Sequence, residues 1–256
     1  MMAKAGWFKT GGEGAAEGKK VDADAERRRQ EARDENVIIK KRRLWLPPDS
    51  SIQFTWLDSV GFFLREHQLF IGGSWLHYET CLSDFDNCPL CDAGMQPAYV
   101  VAFTGIDHSE YTLKKGPNAG QVVKNTKRLA VFKSSARNKV LKKKEQREGD
   151  LTGCTFEISR FGAKDNSTGS DLEFVKRCTT EELKAFAPAM QFGKSGTMEP
   201  VDPDEWIKPF NYEEVFNPKS AEDLLVIIGG APPVGSEADT KNAQAPSDKG
   251  DIGRYL

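Results

Sequence analysis

A chain of 256 residues is long enough for one sizeable domain with appendages, or for two small ones. Its 38% hydrophobic and 10% aromatic residues exclude a wholly disordered chain, while 29% charged residues predict substantial polar segments. With a net charge of −2, any affinity for nucleic acid must come from where the charges lie and not from their sum.

No apolar run approaches the length of a membrane span, and the start, MMAKAGWFKTGGEG, lacks the apolar centre of a secretory signal. The expectation is a soluble, intracellular protein with no membrane partner. Residues 1–18 are rich in Gly and Ala, and Lys19–Glu35 mixes charges of both signs without an apolar stripe. Residues 1–36 are therefore expected to be a flexible or marginally helical arm. Lys40, Lys41, Arg42 and Arg43 form a basic cluster at its end, which suits either a nucleic-acid contact or a soluble flank.

The packed part is expected to begin near Val37. Ser51–Leu57 and Gly61–Phe70 alternate as strands do, with Asp58-Ser59 as the turn between them. Gly72-Gly73 predicts a hairpin leading into a strand over Ser74–Thr80, which ends at Cys81. Tyr99–Thr104 reads as a buried strand and Arg128–Phe132 as another. Ser134-Ser135 predicts the cap of a helix running to about Arg147. Strands over Cys154–Arg160 and Asp171–Lys176 follow, joined by a loop at Gly162–Gly169.

At least six strands and one convincing internal helix predict a mainly β, α+β chain, with an OB-fold-like barrel over residues 37–178. A short helix starts at Thr180, Glu199–Phe216 is acidic and contains proline, and Ser220–Ile228 opens as a capped helix does. Residues 179–230 are thus expected to form a helical and extended segment, and 231–256 a disordered tail.

Three of the five cysteines fall within eleven residues, and in a reducing compartment that clustering favours a metal over disulfides. Cys88-Pro89-Leu90-Cys91 is a knuckle whose two thiolates can grip one ion from a tight turn, and Cys81 supplies a third. A closed tetrahedral zinc site needs one ligand more. The chain has three histidines, and two of them, His67 and His77, lie just upstream of the cysteines.

A redox pair is the lesser reading, because no thioredoxin-like βαβ context surrounds the knuckle. Merely buried cysteines are another lesser reading. His77-Tyr78-Glu79 before the knuckle has a superficial likeness to the zinc deaminase pattern. There, however, the proline precedes the cysteine pair, and the spacing from histidine to knuckle is longer. Four protein ligands leave no open position for water, which favours a structural ion. Cys154 and Cys178 stand alone and are expected in the core.

Between Lys124 and Arg147 ten basic residues face Glu145 alone. Lys124, Lys127, Arg128, Lys133, Arg137, Lys139, Lys142 and Lys143, extended by Arg160 and Lys164 around the next hairpin, are the candidate phosphate contacts. An ordinary lysine-covered helix is the competing explanation. Aromatic residues interleave with the strands, and any on an outer face would offer bases a stacking surface. No Walker loop, nucleophile elbow or acidic nuclease cluster is present, so no enzyme activity is expected and no catalytic residue is assigned.

The stretch Glu66–Gly94, EHQLFIGGSWLHYETCLSDFDNCPLCDAG, resembles the zinc-containing single-stranded DNA-binding (helix-destabilising) proteins of T-even-like tailed phages. The shared features are a histidine, a short Gly turn, a Trp-containing strand ending in Glu-Thr-Cys, an Asp-rich loop and the Cys-Pro-x-Cys knuckle. A weaker likeness extends over residues 40–176. It implies an OB-fold core with an inserted zinc subdomain at about 62–98, and one structural Zn²⁺. In the family the ligating histidine precedes the strand; His67, fourteen residues before Cys81, occupies that place. The resemblance therefore selects His67, Cys81, Cys88 and Cys91 as ligands, with His77 as the alternative to His67.

The function implied is coating of single-stranded DNA, with little sequence preference, in phage replication, recombination and repair in the cytoplasm of the infected host. The charged arm Lys19–Arg43 is expected to contact a neighbouring copy of the chain along the strand. The family's acidic tail implies replication or recombination proteins as partners of the C-terminal region, where the more acidic segment Glu199–Asp223 can serve. Here the chain departs from the family in two ways. The loop from Cys81 to Cys88 is shorter, and the tail beyond Ala231 is only weakly acidic. The different reading kept beside it is a zinc-bearing interaction or scaffolding module without a nucleic-acid role.

Overall fold

The computed structural model describes residues 43–71, 74–112, 122–192 and 198–229, with a few isolated positions besides. Apart from Lys19, Lys20, Ala23, Asp24 and Arg27, the expected arm lies outside the described residues, as do the expected tail, Lys40–Arg42 and the Gly72-Gly73 turn. The architecture is mainly β. One antiparallel sheet contains β1 (Ser50–Trp56), β2 (Phe62–Ile71), β3 (Ser74–Thr80), β4 (Ala98–Asp107), β7 (Thr126–Lys133), β8 (Cys154–Arg160) and β9 (Asp171–Arg177). Two small hairpins, β5 (Tyr111–Thr112) with β6 (Val122–Val123) and β10 (Met190–Phe192) with β11 (Met198–Pro200), stand apart from it.

Strand β4 is the hub of the sheet. β7 pairs along one edge from Val100 to Asp107; on the other edge β2 takes Ala98–Ala102 and β1 takes Gly105–Asp107. β8 then extends the sheet from β1, and β9 from β8. Gly105 is required at the junction, since a side chain there would run into the ring of Phe54 at 2.3 Å.

The inward residues of these strands meet in one core. Trp56 lies against Phe54, Phe103 and Phe156 edge-on and against Phe132 at 5.7 Å between ring centres. Helix α2 (Ser134–Glu145) covers this core with Ala136 and Val140. Among the described residues no ladder closes the sheet from β7 to β9. The segment Arg43–Leu46 lies there instead: Leu44 N–H donates to Leu129 O, Leu46 N–H donates to Ser167 O, and both leucines enter the core.

Helix α2 begins differently from the sequence expectation. Its N-cap is Lys133, whose side chain caps nothing, and Ser134 adopts a left-handed φ of 52°. The other capped helices follow the expected chemistry. Thr179 and Glu182 form a capping box on α3 (Thr180–Ala185), and Ser220 Oγ accepts from Asp223 N–H at the start of α6 (Ala221–Ile228).

The C-terminal segment is a strap across the outer face of the sheet. Two short helices in it, α4 (Pro203–Trp206) and α5 (Tyr212–Val215), present Trp206 and Val215 to separate apolar clusters. Phe62 stacks on both Tyr212 and Phe216. The expected turn residue Asp58 is in fact buried beneath the strap, where it accepts from Thr104 N–H at 3.0 Å and from the Tyr212 hydroxyl.

Burial pushes Asp58 up to about 6, against the lowering effect of the Tyr212 and Thr104 hydrogen bonds. A carboxyl whose folded value is raised contributes stability below its unfolded value of about 4 and loses it as pH rises through the folded value. The Tm of the wild type relative to that of Asp58→Asn should therefore fall as pH rises from about 4 to about 6. Thermal melts with a pH-independent difference would contradict this.

Candidate metal centre

Strand pairing explains why one histidine reaches the cysteines. β2 and β3 pair with Glu66 opposite Thr80 and His67 opposite Glu79, and Cys81 N–H continues the ladder by donating to Arg65 O at 2.9 Å. Cys81 therefore stands one rung diagonal to His67 on the same face, a separation side chains can bridge. His77 pairs with Leu69, four residues back along β3 from Cys81, or about 13 Å at strand rise.

After Cys81 the chain turns through Leu82–Asn87, and helix α1 (Pro89–Asp92) carries the knuckle back beneath β2. Pro89 suits the first turn, because it has no N–H to leave unpaired there.

The outcome is a compact donor set. The ligand atoms of His67, Cys81, Cys88 and Cys91 all lie within 4.8 Å of one another. His67 Nε2 is 3.4 Å from Cys88 Sγ and 3.6 Å from Cys91 Sγ, and the sulfurs of Cys81 and Cys91 are 3.6 Å apart. Tetrahedral zinc, with bonds of about 2.3 Å to sulfur and about 2.0 Å to nitrogen, spaces its ligands by about 3.5–3.8 Å. The cluster thus fits an ion of that size, with borderline-soft S₃N donors. His77 lies outside it.

Burial lowers the His67 imidazole below its ordinary value, so it stays neutral, and burial pushes the Cys91 thiol up to about 12, helped by the sulfurs of Cys81 and Cys88. Bound zinc would supply a cross-link between β2, β3 and α1.

Leu69, Leu82, Leu90, Leu224 and Ile227 surround the cluster, so α6 of the strap is part of its wall. Lys219 beside α6 is ion-paired to Glu79 on β3, directly opposite His67. On the far side of β2, Arg43 is held by Glu66 and lies 3.8 Å from the Tyr78 ring centre.

The basic residues separate into two groups. Lys127 donates to the carbonyls of Trp206 and Lys208 and so anchors the strap. Arg128 lies against Asp107 and Tyr111, and buried Arg160 donates to Leu46 O at 2.6 Å and to Ala163 O. Lys124 is ion-paired with Glu110. These four are engaged within the fold.

Lys133, Lys139, Lys142 and Lys164 are exposed, with Arg137 and Lys143 half-buried on the same helix as Lys139 and Lys142. Lys133 reaches Gln68 of β2, and Arg137 reaches β4 by donating to Tyr99 O at 2.7 Å.

Two residues that the sequence did not single out as a pair lie between this helix and the metal lobe. Phe63 and Tyr99 are 44% and 50% exposed and stack on each other at 6.0 Å. Tyr99 pairs with Arg65 across β2 and β4, so Phe63, Arg65, His67 and Tyr99 share one face. The Arg137 guanidinium lies 5.2 Å from the Tyr99 ring centre. The core covers this face as far as Val101, and the metal lobe covers it from His67 onward. The exposed strip is what remains between them. Tyr99 heads an apolar run that reads as buried in sequence; its place at the N-terminal end of β4 is the available signal of exposure.

The purified protein should carry one equivalent of zinc. Cys88→Ser and His67→Ala should each lose the metal and melt at lower temperature, because structural zinc contributes folding energy directly, whereas His77→Ala should keep it. Metal analysis by mass spectrometry checks this, and zinc retained by His67→Ala but lost from His77→Ala would reverse the ligand assignment. Comparison with known proteins finds no matching family model, curated protein or solved structure, so the functional reading rests on these residues.

Proposed function

We propose that the protein is a non-enzymatic, zinc-stabilised single-stranded DNA-binding protein with little sequence preference. The observation that carries this reading is the exposed Phe63–Tyr99 pair beside Arg137, set between a basic helix and the metal lobe. Large aromatic rings left in water cost free energy unless something covers them. A π-face flanked by guanidinium and ammonium groups suits an unpaired base with its phosphate.

Duplex DNA keeps its bases stacked inside and offers such rings nothing. Lys139, Lys142, Lys143 and Lys164 supply sequence-independent attraction to the backbone, whereas Lys133 pairs with Val100 on the strap side of the sheet. In this reading the sheet is an open relative of the OB-fold, with Arg43–Leu46 where a barrel would close. The resemblance of Glu66–Gly94 to the phage single-strand-binding proteins favours the same reading, with replication, recombination and repair in an infected cell as its setting.

Labelled oligothymidine should bind more tightly than duplex of equal length, with affinity falling steeply as salt rises. Tyr99→Ala should weaken binding by about 5- to 150-fold, the loss expected of one stacked base, without loss of zinc. Equal affinity for duplex, or an unchanged affinity in Phe63→Ala/Tyr99→Ala, would refute the reading.

A further inference from the structure

The exposed strip contains a charge that its aromatic pair does not use. Arg65 stands directly across from Tyr99 and two residues from Phe63 on the same face. Its side chain is 50% exposed, and its Nε lies 3.3 Å from Oδ1 of Asp84, itself 55% exposed. Asp84 belongs to the loop between Cys81 and Cys88, so the pair joins the metal lobe to the sheet across the strip. Among the described residues Asp84 is the ion-pair partner of the Arg65 guanidinium, which is otherwise half exposed to water. An arginine fork that lies beside a stacking ring and is turned to water matches the geometry of a phosphate.

We infer that Arg65 is a phosphodiester-binding residue for the single strand, and that Asp84 competes with the phosphate for it. This rests on the single-strand reading above. With a base stacked on Tyr99, the adjoining phosphate falls near the cross-strand neighbour of that ring. Asp84 holds Arg65 in place in the free protein and lowers affinity by the cost of breaking the pair. An exposed pair of this kind is weak, so a strand displaces it readily. The carboxylate sets affinity without abolishing binding.

The two residues make opposite predictions, which a purely structural salt bridge does not. Fluorescein-labelled oligothymidine is titrated over a range of salt concentrations with the full-length protein, Arg65→Gln, Asp84→Asn and the double variant, after the zinc content of each is verified. Arg65→Gln should weaken binding and reduce the slope of log affinity against log salt by about 1. Asp84→Asn should tighten binding by about 2- to 5-fold. That gain should disappear in the Arg65→Gln background, because the carboxylate acts through the guanidinium.

If Asp84→Asn disturbs the metal loop, Asp84→Ser gives the same readout. An unchanged salt slope in Arg65→Gln, or an equal gain from Asp84→Asn in both backgrounds, overturns the inference. Should Tyr99→Ala weaken binding as predicted above while these variants change nothing, the inference fails and the single-strand reading stands. Should the wild type bind no oligothymidine, both fall.

Discussion

Three sulfur atoms and one imidazole nitrogen, all within 4.8 Å of each other, determine how the chain returns from β3 to β4. The excursion from Cys81 to Pro97 contains one four-residue helix and few large apolar side chains of its own. Hydrophobic burial alone gives such a segment little reason to adopt one conformation. A bound ion would bridge β2, β3 and α1 and remove that freedom, with a folding contribution that reaches on the order of 10 kcal/mol in small zinc modules. The cluster borders the pairing of Arg65 with Asp84, the end of the exposed strip at His67, and the seat of α6.

The strap couples the lobe to the rest of the molecule. Tyr212 meets buried Asp58 beneath it, Lys127 fastens it at Trp206 and Lys208, Lys219 reaches Glu79, and Leu224 and Ile227 pack beside the cysteines. One continuous segment thus touches the outer face of β2, β4 and β7 and then the metal lobe. Among the described residues, the inner face of β2 and β4 is exposed where Phe63, Arg65 and Tyr99 lie. The strap stabilises the sheet from behind, and the candidate binding surface is left open in front.

The strands were legible in the sequence wherever alternation ran for several residues, as in β1, β2, β3, β8 and β9. β4 extends beyond its expected bounds at both ends, because pairing with β2 reaches back to Ala98 and pairing with β7 runs on to Asp107. The hairpins β10–β11 and β5–β6 are too short to carry a periodic signal. The metal ligands were legible because three of them sit within a few residues of a turn. His67 needs the β2–β3 register, which no spacing rule states. The basic residues show the limit of charge patterns. Lys127, Arg128 and Arg160 look like their neighbours in sequence, yet each is spent on a carbonyl, carboxylate or hydroxyl brought near by tertiary structure. The expected serine cap on α2 failed because the chain leaves β7 directly into the helix, with Ser134 bent into a left-handed conformation.

On the proposed reading, the metal cluster organises the surface that holds the single strand. Oligothymidine binding is compared between metal-loaded protein, protein stripped by a chelator, and stripped protein given zinc back. Stripping should abolish tight binding, and one equivalent of zinc should restore it. Undiminished binding by fully stripped protein would contradict that reading.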